Sequence, residues 1–320
     1  MGESRLEKYL SNPAKGLWKL AIPVMAGMGI QTIYSIVDMI FIGRLSGNAI
    51  AAVAFNMPLF FFVLGLTFGL GAGVTASIAR FIGAKDKTNA DNSAEHAVVL
   101  GLGVSIVLTT VGLIYGKPIL ISIGATPNVA DLSWSYLRVI CIGLPFMVLS
   151  AFFRSILAGE GDTKFPMTVA ALGTVLNIIL DPIFIFTLGF GVPGAAGATV
   201  ISQIIVFIVF VYMLLVKEHS YITFRLKDFK PSSFIMKDII KVGFPASISM
   251  VIMSIGQLVF NRILVHFSTD AVAAYQVGGR IDMVIFLPIM SIAFGLTTLV
   301  GMFHGEQEMD KVKYIIKYGL

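Results

Sequence analysis

Two carboxylates stand out in this 320-residue chain because each lies inside a long apolar stretch. Asp38 lies between Leu17 and Ile42, and Asp181 lies between Lys164 and Leu188. An acid at the centre of a membrane helix costs about 2.5 to 3.5 kcal/mol, so both side chains are expected to face a watery cavity or a polar partner. Carboxylates in such a position can bind a cation or exchange a proton, which makes these two acids the first candidates for function.

Three uncharged polar residues accompany the acids. Tyr34 precedes Asp38 by four residues and Asn177 precedes Asp181 by four, so each shares a helix face with its acid. Counted along their helices, both acids fall in the outer half of the bilayer, and Thr199, which enters from outside, reaches a similar depth. The oxygens of Asp38, Asp181, Asn177 and Thr199 suit Na⁺, with Tyr34 beside them, and the same site would also suit a proton.

Each member of this group also has a purely structural interpretation. Asp38 and Asp181 could each serve only as a hydrogen-bonding group between helices. Tyr34 could be one of the tyrosines that are common at membrane interfaces. Asn177 and Thr199 could simply join neighbouring helices, as such residues often do in membranes.

Two further positions have alternative functional interpretations. Asp282 lies in the middle of the eighth predicted helix, where it is either a proton site or the partner of an arginine such as Arg262. Pro23 is expected near the start of the first helix, where proline is tolerated. It either only packs there or has the functional role of bending the helix.

The composition sets the class of protein. Hydrophobic residues make up 57% of the chain and charged residues 13%, which predicts an all-α polytopic membrane protein. The net charge of +5 is spread over short loops instead of forming one patch, which argues against a nucleic-acid partner. The single cysteine, Cys141, excludes a disulfide framework, and the absence of a nucleophile elbow or a phosphate-binding loop argues against an enzyme. No cofactor is expected beyond Na⁺ or H⁺ as a coupling ion.

Apolar stretches predict eight membrane helices, with a ninth that begins near Asp310. After the first, they run from about Ala49 to Phe81, Ala97 to Ile123, Ser133 to Leu157, Lys164 to Leu188, Gly194 to Val216, Ile239 to Phe267 and Ala271 to Phe303. Lysine and arginine collect in the N-terminal arm and in every second loop, so the positive-inside rule predicts a cytoplasmic N-terminus in a multi-pass plasma-membrane protein.

The chain repeats itself at an offset of 222 residues. Identical pairs between residues 19 and 83 and their mates include Pro23 with Pro245 and Gly83 with Gly305. The predicted division is a six-helix lobe at 1–216, a cytoplasmic linker at 217–238 and the first part of a second lobe at 239–320. Since the second copy reaches only about 98 residues, the chain is expected to be a fragment or the product of a truncated gene.

Several motifs together resemble the multidrug and toxic compound extrusion (MATE) transporters over the whole chain. They are Asn12 to Pro23, Val37 to Gly43 followed by Ala51 to Val53, Arg80 to Gly83, Leu157 to Lys164 and Asn177 to Pro182. The resemblance implies two six-helix lobes around a central cavity that opens alternately to each side. It also implies export of organic, often cationic, compounds in exchange for Na⁺ or H⁺.

The resemblance also implies a cation site in the first lobe. In the prokaryotic branch its members match Asp38, Asp181, Asn177, Tyr34 and Thr199. Other branches carry an acid in the seventh helix, but the repeat places Phe260 opposite Asp38. Coupling is therefore expected in the first lobe.

The sequence thus predicts a secondary active multidrug antiporter that works as a monomer in the lipid bilayer on a small organic substrate. One alternative is a flippase of the same superfamily for lipid-linked oligosaccharides, whose cavity would need several cationic side chains. Others are a membrane-embedded enzyme and an inactive truncated paralogue.

Overall fold

A computed structural model of the chain describes residues 6–217, 219–224, 229–265 and 269–320. Side chains are described for all of these except Lys8, Ser254 and residues 257–262, 264–265 and 269–284. These ranges form helices and contain no strand: α1 Leu6–Ser11, α2 Pro13–Gly43, α3 Gly47–Gly83, α4 Lys87–Ser122, α5 Pro127–Gly159, α6 Lys164–Pro182, α7 Gly191–Val211, α8 Ser233–Val265, α9 Thr269–Gly305 and α10 Met309–Gly319. Short π-helical turns, Ile183–Thr187 and Tyr212–Val216, extend α6 and α7.

Seven segments of the described chain are long and apolar enough to cross a membrane. They are Pro13–Gly43, Gly47–Gly83, Lys87–Ser122, Pro127–Gly159, Lys164–Thr187, Gly191–Val216 and Ile285–Gly305. The prediction of an all-α polytopic membrane protein is therefore confirmed.

The fourth helix, α4, begins ten residues earlier than the sequence predicted, at Lys87 instead of Ala97. The Asp86 side chain caps it by accepting a hydrogen bond from the Asn89 amide at 3.1 Å. Hydropathy missed these first turns because they are polar. In these turns His96 is buried, and its Nε2 accepts a hydrogen bond from the Ser232 amide at 2.8 Å.

Pro23 was also placed wrongly with respect to its helix. Because α2 begins at Pro13, Pro23 lies ten residues inside the helix and not near its start. A proline there has no N–H to donate to the carbonyl of Lys19, and α2 continues past it. Its repeat mate, Pro245, lies inside α8 in the same way.

The 222-residue repeat predicted from the sequence is confirmed by the ends of the helices. An offset of 222 carries both ends of α3 onto the ends of α9, and it carries the end of α2 at Gly43 onto the end of α8 at Val265. It also carries the start of α4 at Lys87 onto the start of α10 at Met309.

The turns that follow α3 and α9 repeat as well. Lys85 and Gln307, a repeat pair, both adopt positive φ, 57° and 65°. The Asp86 amide donates to the Phe81 carbonyl at 2.9 Å, and its mate, the Glu308 amide, donates to Phe303 at the same distance. Two similar turns from different sequences indicate that the repeat is a repeat of structure.

The first lobe comprises α2 to α7, and α8 and α9 pack against it through α2 and α3. Within the first lobe α5 is central, since it packs against α3, α4 and α7, and α6 packs against α2 and α7. Apolar side chains such as Val74, Ile78, Phe152 and Phe210 form the main core. The pairing of α2 with α6 is the contact that positions the two acids.

The segment predicted as a linker, 217–238, is partly helical, because α8 begins at Ser233. Its first part is docked on the first lobe: the amides of Tyr221 and Ile222 donate to the buried carboxylate of Glu160 at 2.9 and 3.3 Å. The Ser220 hydroxyl also donates to Glu160. The division of the chain into 1–216, 217–238 and 239–320 remains a prediction.

Candidate functional site

The structure brings Asp38 of α2 and Asp181 of α6 together. The two carboxyl groups are close enough to interact, and two carboxyl groups can form a hydrogen bond only when one of them is protonated. Asp181 is fully buried and Asp38 is partly buried. The acids therefore form one unit, contributed by two helices that are more than 100 residues apart in the chain.

Asn177 completes this unit from the helix turn before Asp181. Its side-chain nitrogen Nδ2 donates a hydrogen bond to Asp181 Oδ1 at 3.0 Å, and its exposed fraction is only 4%. The spacing of four residues on one helix, read from the sequence, is what allows this contact. Asn177 therefore orients the Asp181 carboxylate toward Asp38.

Two carboxylate oxygens are left over. Within the described part of the chain, Asp38 Oδ1 and Asp181 Oδ2 are buried and receive no hydrogen bond from an N–H or hydroxyl donor. A buried acceptor without a donor is costly, and a bound cation or proton removes that cost. These carboxylate oxygens are therefore suitable ligands for a hard cation, and they can also bind a proton.

Tyr34 and Thr199 lie beside the acids. The Tyr34 hydroxyl is 3.5 Å from Thr199 Oγ1, the limit of a hydrogen bond, and Thr199 itself donates to the carbonyl of Ala195 at 3.1 Å. Tyr34 interacts electrostatically with both Asp38 and Asp181. All five predicted residues thus lie in one region, although the Tyr34 to Thr199 contact is weak.

Sequence reasoning missed one neighbour of this site, Tyr136 of α5. It interacts electrostatically with Asp38, Asp181 and Tyr34, and it packs against an apolar cluster formed by residues of α5 and α7. The signal in the sequence was slight, because Tyr136 has no acid on its own helix face. Its position depends on how α5 packs against α7, which spacing along one helix does not reveal.

The site lies where α6 gives way to a π-helical turn, and Pro182 is the residue at that change. It ends the α-helix directly after Asp181 and has no N–H to donate to the carbonyl of Ile178. The chain continues as a π-helical turn, Ile183–Thr187, in which the Leu188 amide donates to the carbonyl of Ile183 at 2.8 Å. This irregular backbone beside the acids is typical of sites in membrane helices.

The other positions that the sequence singled out add no residue to this site. The side chains of Asp282, Arg262 and Phe260 lie outside the described residues. No group of three or more His, Cys, Asp or Glu side chains that could hold a metal ion occurs among the residues that were described.

Comparisons with known proteins agree with the motifs. The sequence profile of the family described as MatE matches residues 23–183 and 245–320. The Probable multidrug resistance protein NorM of Thermotoga maritima is 31% identical over 95% of this chain and 66% of its own length. The Probable multidrug resistance protein YoeA of Bacillus subtilis is 29% identical over 93% of this chain and 66% of its own length. The chain thus spans 66% of the length of both relatives.

A solved structure is similar over the whole chain. It is the outward-facing conformation of a multidrug resistance MATE family transporter of the MOP superfamily. The likeness has a TM-score of 0.96 and 36% sequence identity, and it covers 100% of this chain and 71% of the other.

Proposed function

Because the chain belongs to the MatE family, we propose that it is a secondary active antiporter that exports organic, often cationic, compounds in exchange for Na⁺ or H⁺. Two relatives named as multidrug resistance proteins support this activity. As a multi-pass membrane protein it would act in the plasma membrane as a monomer. Lysines that flank the ends of α3, α5, α7 and α9, among them Lys85, Lys164, Lys217 and Lys311, support a cytoplasmic N-terminus.

The buried pair of Asp38 and Asp181 carries the proposal. Two neighbouring acids, with two buried carboxylate oxygens that no described donor satisfies, form a site that can take up and release a cation or a proton. Na⁺ would be held by Asp38, Asp181, Asn177 and Thr199, whereas H⁺ would be held between the two carboxylates. In either case the ion is cargo that the protein carries inward as the compound leaves.

Coupling requires that the ion and the compound prefer different conformations of the protein. A ligand with equal affinity for both conformations shifts nothing. Binding of an ion to the acids neutralises charge between α2 and α6, and so changes how these two helices pack. That change is the step by which the gradient would drive export.

Ethidium efflux from vesicles under an imposed Na⁺ or H⁺ gradient tests the proposal. Asp38→Asn and Asp181→Asn should each lower gradient-driven efflux by about tenfold or more, since each removes a charged ligand. Asp131→Asn is a matched control, because Asp131 is 68% exposed and pairs with Lys117 on the surface. Unchanged efflux in both site variants would make the acids structural, and absent efflux in the unmodified protein would favour the flippase.

A further inference from the structure

The two lobes meet along the half of α3 that leads to its lysine-rich end. Gly69 faces Ser247 of α8, whose hydroxyl donates to the carbonyl of Leu66 at 3.2 Å. One turn further along, Gly73 faces Gly243. The other half of α3 packs within the first lobe, where Ala52 and Val53 belong to local clusters. The lobes are therefore closed at the face of the protein formed by the turns after α3, α5, α7 and α9, here called the basic face.

The closure at the basic face includes a reciprocal backbone contact. A Cβ atom at Gly83 would collide with the carbonyl oxygen of Met302, and a Cβ atom at Gly305 would collide with that of Arg80. Gly83 and Gly305 are repeat mates, and so are Arg80 and Met302. The ends of α3 and α9 thus contact each other in the same way from both sides.

Two ion pairs cross the same interface. The Arg80 guanidinium binds the Asp238 carboxylate of α8 with two contacts of 2.7 Å, and both side chains are partly buried. Lys85 Nζ lies 2.7 Å from Glu306 at the end of α9. The hydrogen bond to Glu306 raises the pKa of Lys85 above its ordinary value, so Lys85 is charged at neutral pH.

These charges are not a by-product of the repeat. The repeat mates of Arg80 and Asp238 are Met302 and Gly16, which cannot form an ion pair. The mates of Lys85 and Glu306 are Gln307 and Ala84. The charges therefore occur on one side of the interface only, added to a backbone contact that both sides share.

We propose that Arg80 with Asp238 and Lys85 with Glu306 form a latch that holds the two lobes together at the basic face. The latch must open before the acid site can be exposed to that face. This inference rests on the alternating access of the proposed function. The inference beyond that function is that the four latch residues set the equilibrium between the conformation closed at the basic face and the one open to it.

The closed interface can be followed with a single reactive cysteine. Thr298 of α9 is fully buried, and its hydroxyl donates to the carbonyl of Ala158 in the first lobe at 2.9 Å, so Thr298→Cys places a thiol between the lobes. The native Cys141 is buried and should contribute little background. A cavity of about 620 Å³ lined by Arg80, Phe234 and His304 lies beside the Arg80 ion pair.

The measurement is the rate at which a membrane-impermeant maleimide labels Thr298→Cys in vesicles of both orientations. Arg80→Gln should raise the labelling rate from the basic face by about tenfold, as expected for loss of a charge-assisted pair. The exchanged double variant Arg80→Asp with Asp238→Arg should return it toward the original rate. Lys87→Gln is the control, because Lys87 pairs with Asp91 inside the first lobe and should leave labelling unchanged.

Labelling that does not change in Arg80→Gln, or that stays fast in the exchanged variant, would overturn the latch. If Arg80→Gln fails to reach the membrane, Asp238→Asn tests the same ion pair from its other partner, and Lys85→Gln tests the second ion pair of the latch. Since labelling needs neither a drug nor an ion gradient, it distinguishes a failed latch from a failed transport proposal.

Discussion

At the scale of the residue, the orientation of Asp181 toward Asp38 depends on Asn177. The amide of Asn177 occupies Asp181 Oδ1, which leaves the other oxygen of Asp181 without a described donor. The sequence could predict this contact because both residues lie on one helix at a spacing of four. It could not predict Tyr136, whose position depends on the packing of α5.

Replacement of Asn177 by leucine should weaken ion binding. A hydrogen bond to a charged group contributes about 1.5 to 3 kcal/mol, so the ion concentration for half-maximal efflux should rise about tenfold. Asn89→Leu is the matched control, because Asn89 also donates to an aspartate, Asp86, but at the start of α4. Equal ion dependence in the two variants would show that Asn177 does not orient the site.

At the scale of the element, the apolar interiors of the helices were easier to predict than their polar ends. The offset of 222 carried the bounds of α3 onto those of α9. The polar start of α4 was missed because hydropathy detects the membrane-spanning part only, whereas the Asp86 cap starts the helix. Pro23 was misplaced for the same reason: the polar first turns of α2 were not counted as helix.

Pro23→Ala should make α2 more stable and less able to bend. Proline costs about 3 kcal/mol relative to alanine inside a helix, so the variant should unfold at a higher temperature while its efflux falls. Pro118→Ala, inside α4, is the control, since α4 carries no site residue and efflux should be retained. Full efflux by Pro23→Ala would mean that the proline only packs.

The close contact of Gly83 and Gly305 between α3 and α9 predicts that a larger residue at either position opens the interface. Gly83→Ala and Gly305→Ala should each push α3 and α9 apart and speed the labelling of Thr298→Cys, because a new Cβ atom would meet a backbone carbonyl. Gly103→Ala is the control, since nothing lies within 4 Å of a Cβ atom there. Slow labelling in both interface variants would show that the interface adjusts without opening.

At the scale of the whole molecule, the segment between the lobes is attached to the first lobe. Glu160 accepts hydrogen bonds from Ser220, Tyr221 and Ile222, and His219 lies 3.2 Å from Asp162. The sequence showed only a polar stretch with Pro231, because a docking site made by distant carboxylates leaves no local pattern. This part of the segment should therefore move with the first lobe.

Glu160→Gln should release this attachment. Because the carboxylate is buried and hydrogen bonded, its loss should lower the free energy of unfolding by about 1 to 3 kcal/mol and lower the unfolding temperature. Glu308→Gln serves as the control, since Glu308 is 44% exposed and pairs with Lys311, three residues further along the chain. Equal thermal stability of the two variants would show that the segment is held by other contacts.

The most direct test of the account is whether a drug gradient alone moves the coupling ion. Proteoliposomes with an imposed ethidium gradient should take up Na⁺ or H⁺ against the flow of ethidium, measured with radioactive sodium and a pH-sensitive dye. Asp38→Asn should abolish this uptake, whereas Asp131→Asn should retain it. Ethidium transport without movement of either ion, or ion uptake that persists in Asp38→Asn, would contradict the assignment of Asp38 and Asp181 as the coupling site.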